Sequence, residues 1–155
     1  MRYSIRVRAS ALIVHNGAIL LIEFNDENGT HYNLPAGGVE PGESVIQAVK
    51  REAREEAVVE LEIGPLAFIY EYEPNINAFK YGATHVLDMI FDCRLALNAV
   101  PRMPDQPDPN QTGVKWIKLS DLVSVTLYPK ITSQIIEYVR NGKHGVIYLE
   151  ENALD

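Results

Sequence analysis

The stretch GGVEPGESVIQAVKREAREEAVV, Gly37 to Val59, decides how the rest of the chain is read. It opens as a Gly/Pro turn and passes Ser44, which is followed three residues later by Gln47. That spacing is a capping box, in which a serine hydroxyl and a glutamine amide satisfy backbone groups at a helix start, so a helix is predicted from Ser44. At ~100° per residue, Val45, Ile46, Val49, Ala53 and Ala57 share one apolar arc, whereas Gln47, Lys50, Arg51 and Arg54 fall on a wet one. Glu52, Glu55 and Glu56 edge the apolar arc and avoid the wet one. Glu52 and Glu56 stand at i,i+4, where like charges repel, so a positive group is expected between them.

Most glutamate-rich helices are solvated faces, and Arg51 and Arg54 would serve as ordinary ion-pair partners here. The placement beside the apolar arc, next to a glycine turn, points instead to a site. Hard oxygen ligands on one wall suit Mg²⁺ or Mn²⁺, which favour octahedral oxygen coordination, keep several waters and are completed by substrate phosphates.

The same residues carry a resemblance. The stretch looks like the Nudix box, whose pattern is G, five residues, E, seven residues, R-E-U-x-E-E-x-G-U, with U an aliphatic residue. Gly37 matches the first glycine, Glu43 the first glutamate, Arg51 and Glu52 the R-E pair, Ala53 the first U, Glu55 and Glu56 the E-E pair, and Val59 the last U. Val58 stands where the pattern has glycine. Valine disfavours φ > 0, so the exit from the helix is expected to differ locally.

The resemblance implies an α/β fold, a sandwich of helices on both sides of a mixed sheet, and hydrolysis of a nucleoside diphosphate linked to another moiety with Mg²⁺ or Mn²⁺. A divalent cation suits that chemistry, because a diphosphate repels hydroxide until its oxygens are neutralised. By the same resemblance Glu52, Glu55 and Glu56 are the metal ligands, with a backbone carbonyl near Gly37 completing the shell and Gly38 beside it as support. Glu52, Arg51 and Glu55 are the candidate catalytic residues. Deprotonation of the attacking water is left open between Glu52 and a neighbouring carboxylate, and Arg51 with Glu43 positions the glutamates through an ion pair. Many family members add an acidic residue in a loop before a Trp-containing strand, and Asp105 and Asp108 are the nearest acids to that place.

Bulk properties narrow the field. A chain of 155 residues reads as a single domain, 1–155, long enough to bury a sizeable core. Its net charge of −7 argues against nucleic acid and anionic membrane as partners and fits a small anionic nucleotide brought in with a cation. The single cysteine, Cys93, excludes an internal disulfide, and no signal-peptide or membrane-spanning run is present, so a cytoplasmic protein is expected.

Outward from the box, Ser4 to Val14 and Ala18 to Phe24 read as strands joined at Asn16-Gly17, a hairpin signal. Asn25 to Thr30 reads as a polar loop and His31 to Leu34 as a short strand. Leu61 to Ile63 and Leu66 to Glu73 read as extended, with Tyr70 and Tyr72 on one face as weak candidates for substrate contact. From His85 to Leu95 the alternation is clear, with Cys93 as packing and His85 as a hydrogen-bonded structural residue. Asn98 to Gly113 holds four prolines and reads as a long loop able to close over substrate, with Asp108 in it as a further weak candidate for substrate contact. Val114 to Leu119 is a predicted strand, Pro129 a predicted helix start, and Val146 to Leu149 a predicted edge strand or self-association segment that motivates a homodimer.

Pro74 lies fifteen positions after Val59, a spacing resembling the proline of ADP-ribose-cleaving family members. ADP-ribose or a similar nucleotide sugar is therefore the preferred expectation. The alternatives are a nucleoside triphosphate pyrophosphohydrolase and a nucleotide-binding domain that regulates without catalysis, the latter disfavoured by retention of every box glutamate.

Overall fold

The computed structural model describes residues 3–142 and 145–154. Strand β1 (Ile5–His15) turns into β2 (Ala18–Asp26) through Asn16 and Gly17, both at positive φ, as the Asn-Gly pair demands. The region expected as a polar loop is a second tight hairpin. β2 runs on to Asp26, the Asn28 N–H donates to the Asp26 carboxylate at 2.8 Å, and β3 (Gly29–Asn33) pairs back with Asp26 opposite Gly29. An aspartate that closes its own turn explains why a polar stretch still continues the ladder.

Next come β4 (Ala36–Gly38), helix α1 (Val45–Ala57), β5 (Leu61–Tyr72), β6 (His85–Leu95) and β7 (Gln111–Lys118). The chain closes with β8 (Leu127–Tyr128), α2 (Thr132–Arg140) and β9 (Ile147–Glu150). The sheet order is β8-β3-β2-β1-β6-β5-β9, with β4 added to β1 and β7 to β2. β1 pairs in parallel with β6 and antiparallel with β2 and β4, so the sheet is mixed.

Period two sorts the strands into two cores. On β1, Ala9, Ala11 and Ile13 pack against α1, while Leu12 belongs to the core under α2; on β2, Leu20 and Ile22 face α1, and Ile19 and Leu21 face α2. The α1 interface is built largely of alanines, Ala48, Ala53 and Ala57 against Ala9 and Ala11. Small side chains let the helix lie close to the sheet, which brings its acidic edge within hydrogen-bond reach of the β4 backbone.

Other expectations are adjusted by tertiary context. Ile46 is 45% exposed: in the first turn of α1 Val45 packs against this core, and full burial begins at Ala48. The two extended pieces after the box are one strand, β5, with register shifts between Ile63 and Phe68. A Cβ on Gly64 would lie 2.4 Å from the Asp92 carbonyl oxygen, a backbone contact that cannot swing aside. Gly64→Ala is therefore expected to cost ~1–3 kcal/mol in chemical denaturation. α2 starts at Thr132 and not at Pro129, because residues up to Tyr128 are held extended against β3. Cys93 is packing, its thiol pushed up to about 12 by burial, and His85 is hydrogen-bonded between Tyr3 and Glu71 at 2.6 Å each. Among the described residues no helix is long and apolar enough to cross a membrane.

Candidate active site

The capping box forms in full. Ser44 is the N-cap of α1, Gln47 N donates to its hydroxyl at 3.1 Å, and Ser44 N donates to the Gln47 side chain at 2.8 Å. Ahead of it, Glu40 N donates to the Glu43 carboxylate at 2.9 Å, which folds the turn back on itself. Glu43 then receives Arg51 through Nε at 3.1 Å and Nη2 at 2.7 Å. The same guanidinium donates to the Gly38 carbonyl at 3.0 Å, to Glu52 at 2.7 Å and to Glu55 at 3.3 Å. Arg51 thus ties turn, β4 and acidic edge into one unit, and it holds the Glu43 carboxyl below the usual carboxylate range.

Glu56 occupies the inner edge. It is 5% exposed, and its Oε1 accepts from the Ala36 N–H at 2.8 Å. Burial, with Glu52 and Asp108 nearby, pushes its carboxyl up to about 8. Glu52 is also raised, chiefly by burial and further by Glu55 and Asp108, against the pull of Arg51. Glu55 stands at the outer rim, with its side chain 58% exposed. Gly37 leaves room for this arrangement: a Cβ there would lie 2.0 Å from Glu52 Oε1.

The proline-rich loop supplies a fourth carboxylate. Asp108 acts electrostatically on the Glu56 and Glu52 carboxyls, whereas Asp105 is 97% exposed and paired only loosely with Arg102 at 3.9 Å. The sequence left these two aspartates equal, and Gln111 separates them. Its buried side chain donates to the Glu56 carbonyl at 2.9 Å and accepts from Asp108 N at 3.3 Å, so it latches the loop to the end of α1. Gln111 escaped the sequence reading because nothing in a polar, proline-rich stretch marks one glutamine as buried.

These donors fit a hard divalent cation. Glu52 and Glu56 share one edge of α1, Asp108 acts electrostatically on both, their negative charge is only partly offset, and the Gly37 backbone lies against the Glu52 carboxylate. Among the described residues no three His, Cys, Asp or Glu side chains lie together closely enough to hold a metal ion as they stand. Arg51, at 2.7 Å from Glu52, is the positive group beside the edge, and a cation would compete with it for that carboxylate.

Ala36 also borders a cleft of about 320 Å³ on the α2 face of the sheet. Tyr70, Tyr72, Tyr81 and Tyr128 give it aromatic walls, and Ser10 and Asp88 give it a polar floor. Tyr70 and Tyr72 both line this cleft, with their hydroxyls bound to Glu151 at 2.8 Å and to the Gly82 carbonyl at 2.8 Å. Asp88 was not singled out in the sequence. Its signal was a charge placed between Val86 and Ile90 on one row of the strand.

Val58 does not change the helix exit. It takes the left-handed conformation itself, with φ 56° and ψ 44°, its N–H donating to the Arg54 carbonyl at 3.1 Å. The C-cap geometry that glycine favours is here taken by a β-branched residue, three positions before β5 begins. Val58→Gly is expected to raise stability by ~1 kcal/mol in chemical denaturation, with activity unchanged.

Comparison with known proteins agrees with this geometry. A family model described as the NUDIX domain matches residues 5–140. The nucleoside triphosphatase NudI of Escherichia coli O1:K1 / APEC is 33% identical over 123 residues, covering 75% of this chain and 84% of that protein. A NUDIX hydrolase structure from Nitrosomonas europaea superposes with a TM-score of 0.73 at 26% identity, covering 91% of this chain and 92% of the other. A MutT NUDIX hydrolase from Burkholderia pseudomallei gives 0.69 at 28% identity, over 88% and 98%. An ADP-ribose pyrophosphatase from Streptococcus suis 89-1591, at 22% identity and a TM-score of 0.68 over 94% and 99%, shares the fold. The mixed sheet, the box-bearing helix and these matches together place the chain in the NUDIX family, as a Nudix hydrolase.

Proposed function

We propose that this protein hydrolyses a phosphoric anhydride bond of a small nucleotide in the presence of Mg²⁺ or Mn²⁺, with a nucleoside triphosphate as the favoured substrate. The observation that carries the reading is the junction at Ala36, whose N–H binds Glu56 of the acidic edge and which also lines an aromatic cleft sized for one nucleoside. Base and sugar occupy the cleft, and the phosphates pass over β4 to the carboxylates. Glu52, Glu56 and Asp108 would hold the cation, with Glu55 at the rim and the Gly37 carbonyl alongside. The cation, when bound, neutralises phosphate oxygens and acidifies an attacking water. Arg51 and Glu43 keep the glutamates in place, and a carboxylate of the cluster accepts the proton of that water. The 33% identical nucleoside triphosphatase supports the triphosphate.

ADP-ribose or a similar nucleotide sugar is the second reading, favoured by the position of Pro74. In the fold Pro74 opens a short turn, its carbonyl accepting from Asn77 N at 3.2 Å and Phe79 N at 2.9 Å, and that structural duty accounts for it without a substrate. The test is incubation with nucleoside triphosphates, ADP-ribose and nucleotide sugars, with and without Mg²⁺ or Mn²⁺, and chromatography of the products. Metal-dependent release of pyrophosphate and a nucleoside monophosphate is expected. Release of AMP from ADP-ribose alone would favour the second reading, and binding without cleavage of any compound would leave a regulatory nucleotide-binding domain.

A further inference from the structure

Resting on that reading, we infer that Asp88 selects the base: the cleft takes nucleotides whose base carries an amino group, such as cytosine or adenine, over keto counterparts such as uracil or hypoxanthine. Asp88 lies on the central strand β6, opposite Arg8 of β1 on one side and Tyr70 of β5 on the other. It lines the cleft and is only 4% exposed. Its Oδ1 accepts from the Ser10 hydroxyl at 2.7 Å, which leaves Oδ2 for a ligand. A carboxylate placed in a core is costly, and a role in packing alone would be better served by the apolar residues that surround it on β6.

A second acceptor shares the cleft. Asn33 lines it, and Asn33 Oδ1 is the one buried side-chain nitrogen or oxygen without a hydrogen-bond partner among the described residues. Of the donors in the lining, Tyr70 is committed to Glu151, Tyr72 to the Gly82 carbonyl and Ser10 to Asp88 itself, while Arg8 lies opposite Asp88 and offsets its charge. The tyrosine rings supply flat apolar faces, and Asp88 and Asn33 supply the acceptors of the floor. An exocyclic amino group meets acceptors, whereas a keto oxygen meets a carboxylate and is repelled. Burial raises the Asp88 carboxyl, while the Ser10 hydroxyl and Arg8 favour the ionised, acceptor-only form.

The experiment compares kcat/KM for CTP against UTP and for ATP against ITP, in the wild type and in Asp88→Asn, with Mg²⁺ present. A wild-type preference of at least about 10-fold for the amino-bearing member of each pair is expected, because a site built to hydrogen-bond rejects analogues that leave its groups unpaired. Asp88→Asn, whose amide can donate to a keto oxygen, should collapse both ratios to within about threefold. Asn33→Leu should narrow them as well, and thermal melts report whether each variant is folded. Equal wild-type rates within each pair, a preference for keto bases, or ratios untouched in folded Asp88→Asn would overturn the inference. If no nucleotide is hydrolysed, the activity proposed above fails, and calorimetric affinities for CTP and UTP then decide the inference alone, equal affinities overturning it.

Discussion

Glu56→Gln is expected to lower turnover by roughly 10²- to 10³-fold with Mg²⁺, yet to make the metal-free protein more stable at pH 8. Both effects come from one carboxylate buried among like charges. In the folded chain Glu56 is pushed up to about 8, against 4.5 for an unperturbed glutamate, first by burial and then by Glu52 and Asp108. The folded state therefore keeps a proton that the unfolded chain has released. Stability contributed at this position is greatest below about 4.5 and falls as pH rises toward about 8, by an amount on the order of a few kcal/mol. Glutamine still accepts from the Ala36 N–H but carries no charge, so its melting temperature should lose that part of the pH dependence. Melts of both proteins at pH 5 and pH 8 in EDTA measure it, with turnover measured in parallel. Equal turnover would remove Glu56 from the mechanism, and parallel pH dependences would show that its burial carries no charge penalty.

Gly37→Ala is expected to cost about 10- to 100-fold in turnover while changing stability by less than about 1 kcal/mol. The added Cβ would lie 2.0 Å from Glu52 Oε1 and 2.2 Å from its Cδ, so the carboxylate must leave its place over β4. The obstruction is the far end of a flexible side chain, and the fold can move it. What is lost is the position of a proposed metal ligand on the edge that also carries Glu56. Raised Mg²⁺ should recover part of the rate, since the variant weakens the site without deleting a ligand. Full activity at low Mg²⁺ would show that Glu52 has no need of that position.

Features written in local sequence were legible. The Ser44 and Gln47 capping box, the Asn16-Gly17 hairpin and the His85 to Leu95 strand each rest on contacts or periodicities within a few residues, and each is present. The acidic edge of α1 was also visible, because helical spacing alone separates Glu52 and Glu56 from the wet face. What escaped depends on pairing across the chain. Ile46 fits the apolar arc but stays exposed in the first turn of α1, and Val58 takes a positive φ that its residue type disfavours. Asp108 and Asp105 are alike in sequence, and only the Gln111 bond to the Glu56 carbonyl selects between them. Asp88 becomes a floor residue only when β6 is set between β1 and β5.

The central claim is that these carboxylates hold a divalent cation against a nucleotide, and Mn²⁺ binding tests it most directly. Free Mn²⁺ would be followed by electron paramagnetic resonance as wild type, Glu56→Gln and Asp108→Asn are titrated in the presence of a non-hydrolysable nucleoside triphosphate, with Mg²⁺ as competitor. Wild type should deplete the free Mn²⁺ signal, Mg²⁺ should restore it, and both variants should bind at least about tenfold more weakly. Equal Mn²⁺ depletion by all three proteins would place the cation elsewhere and contradict the account.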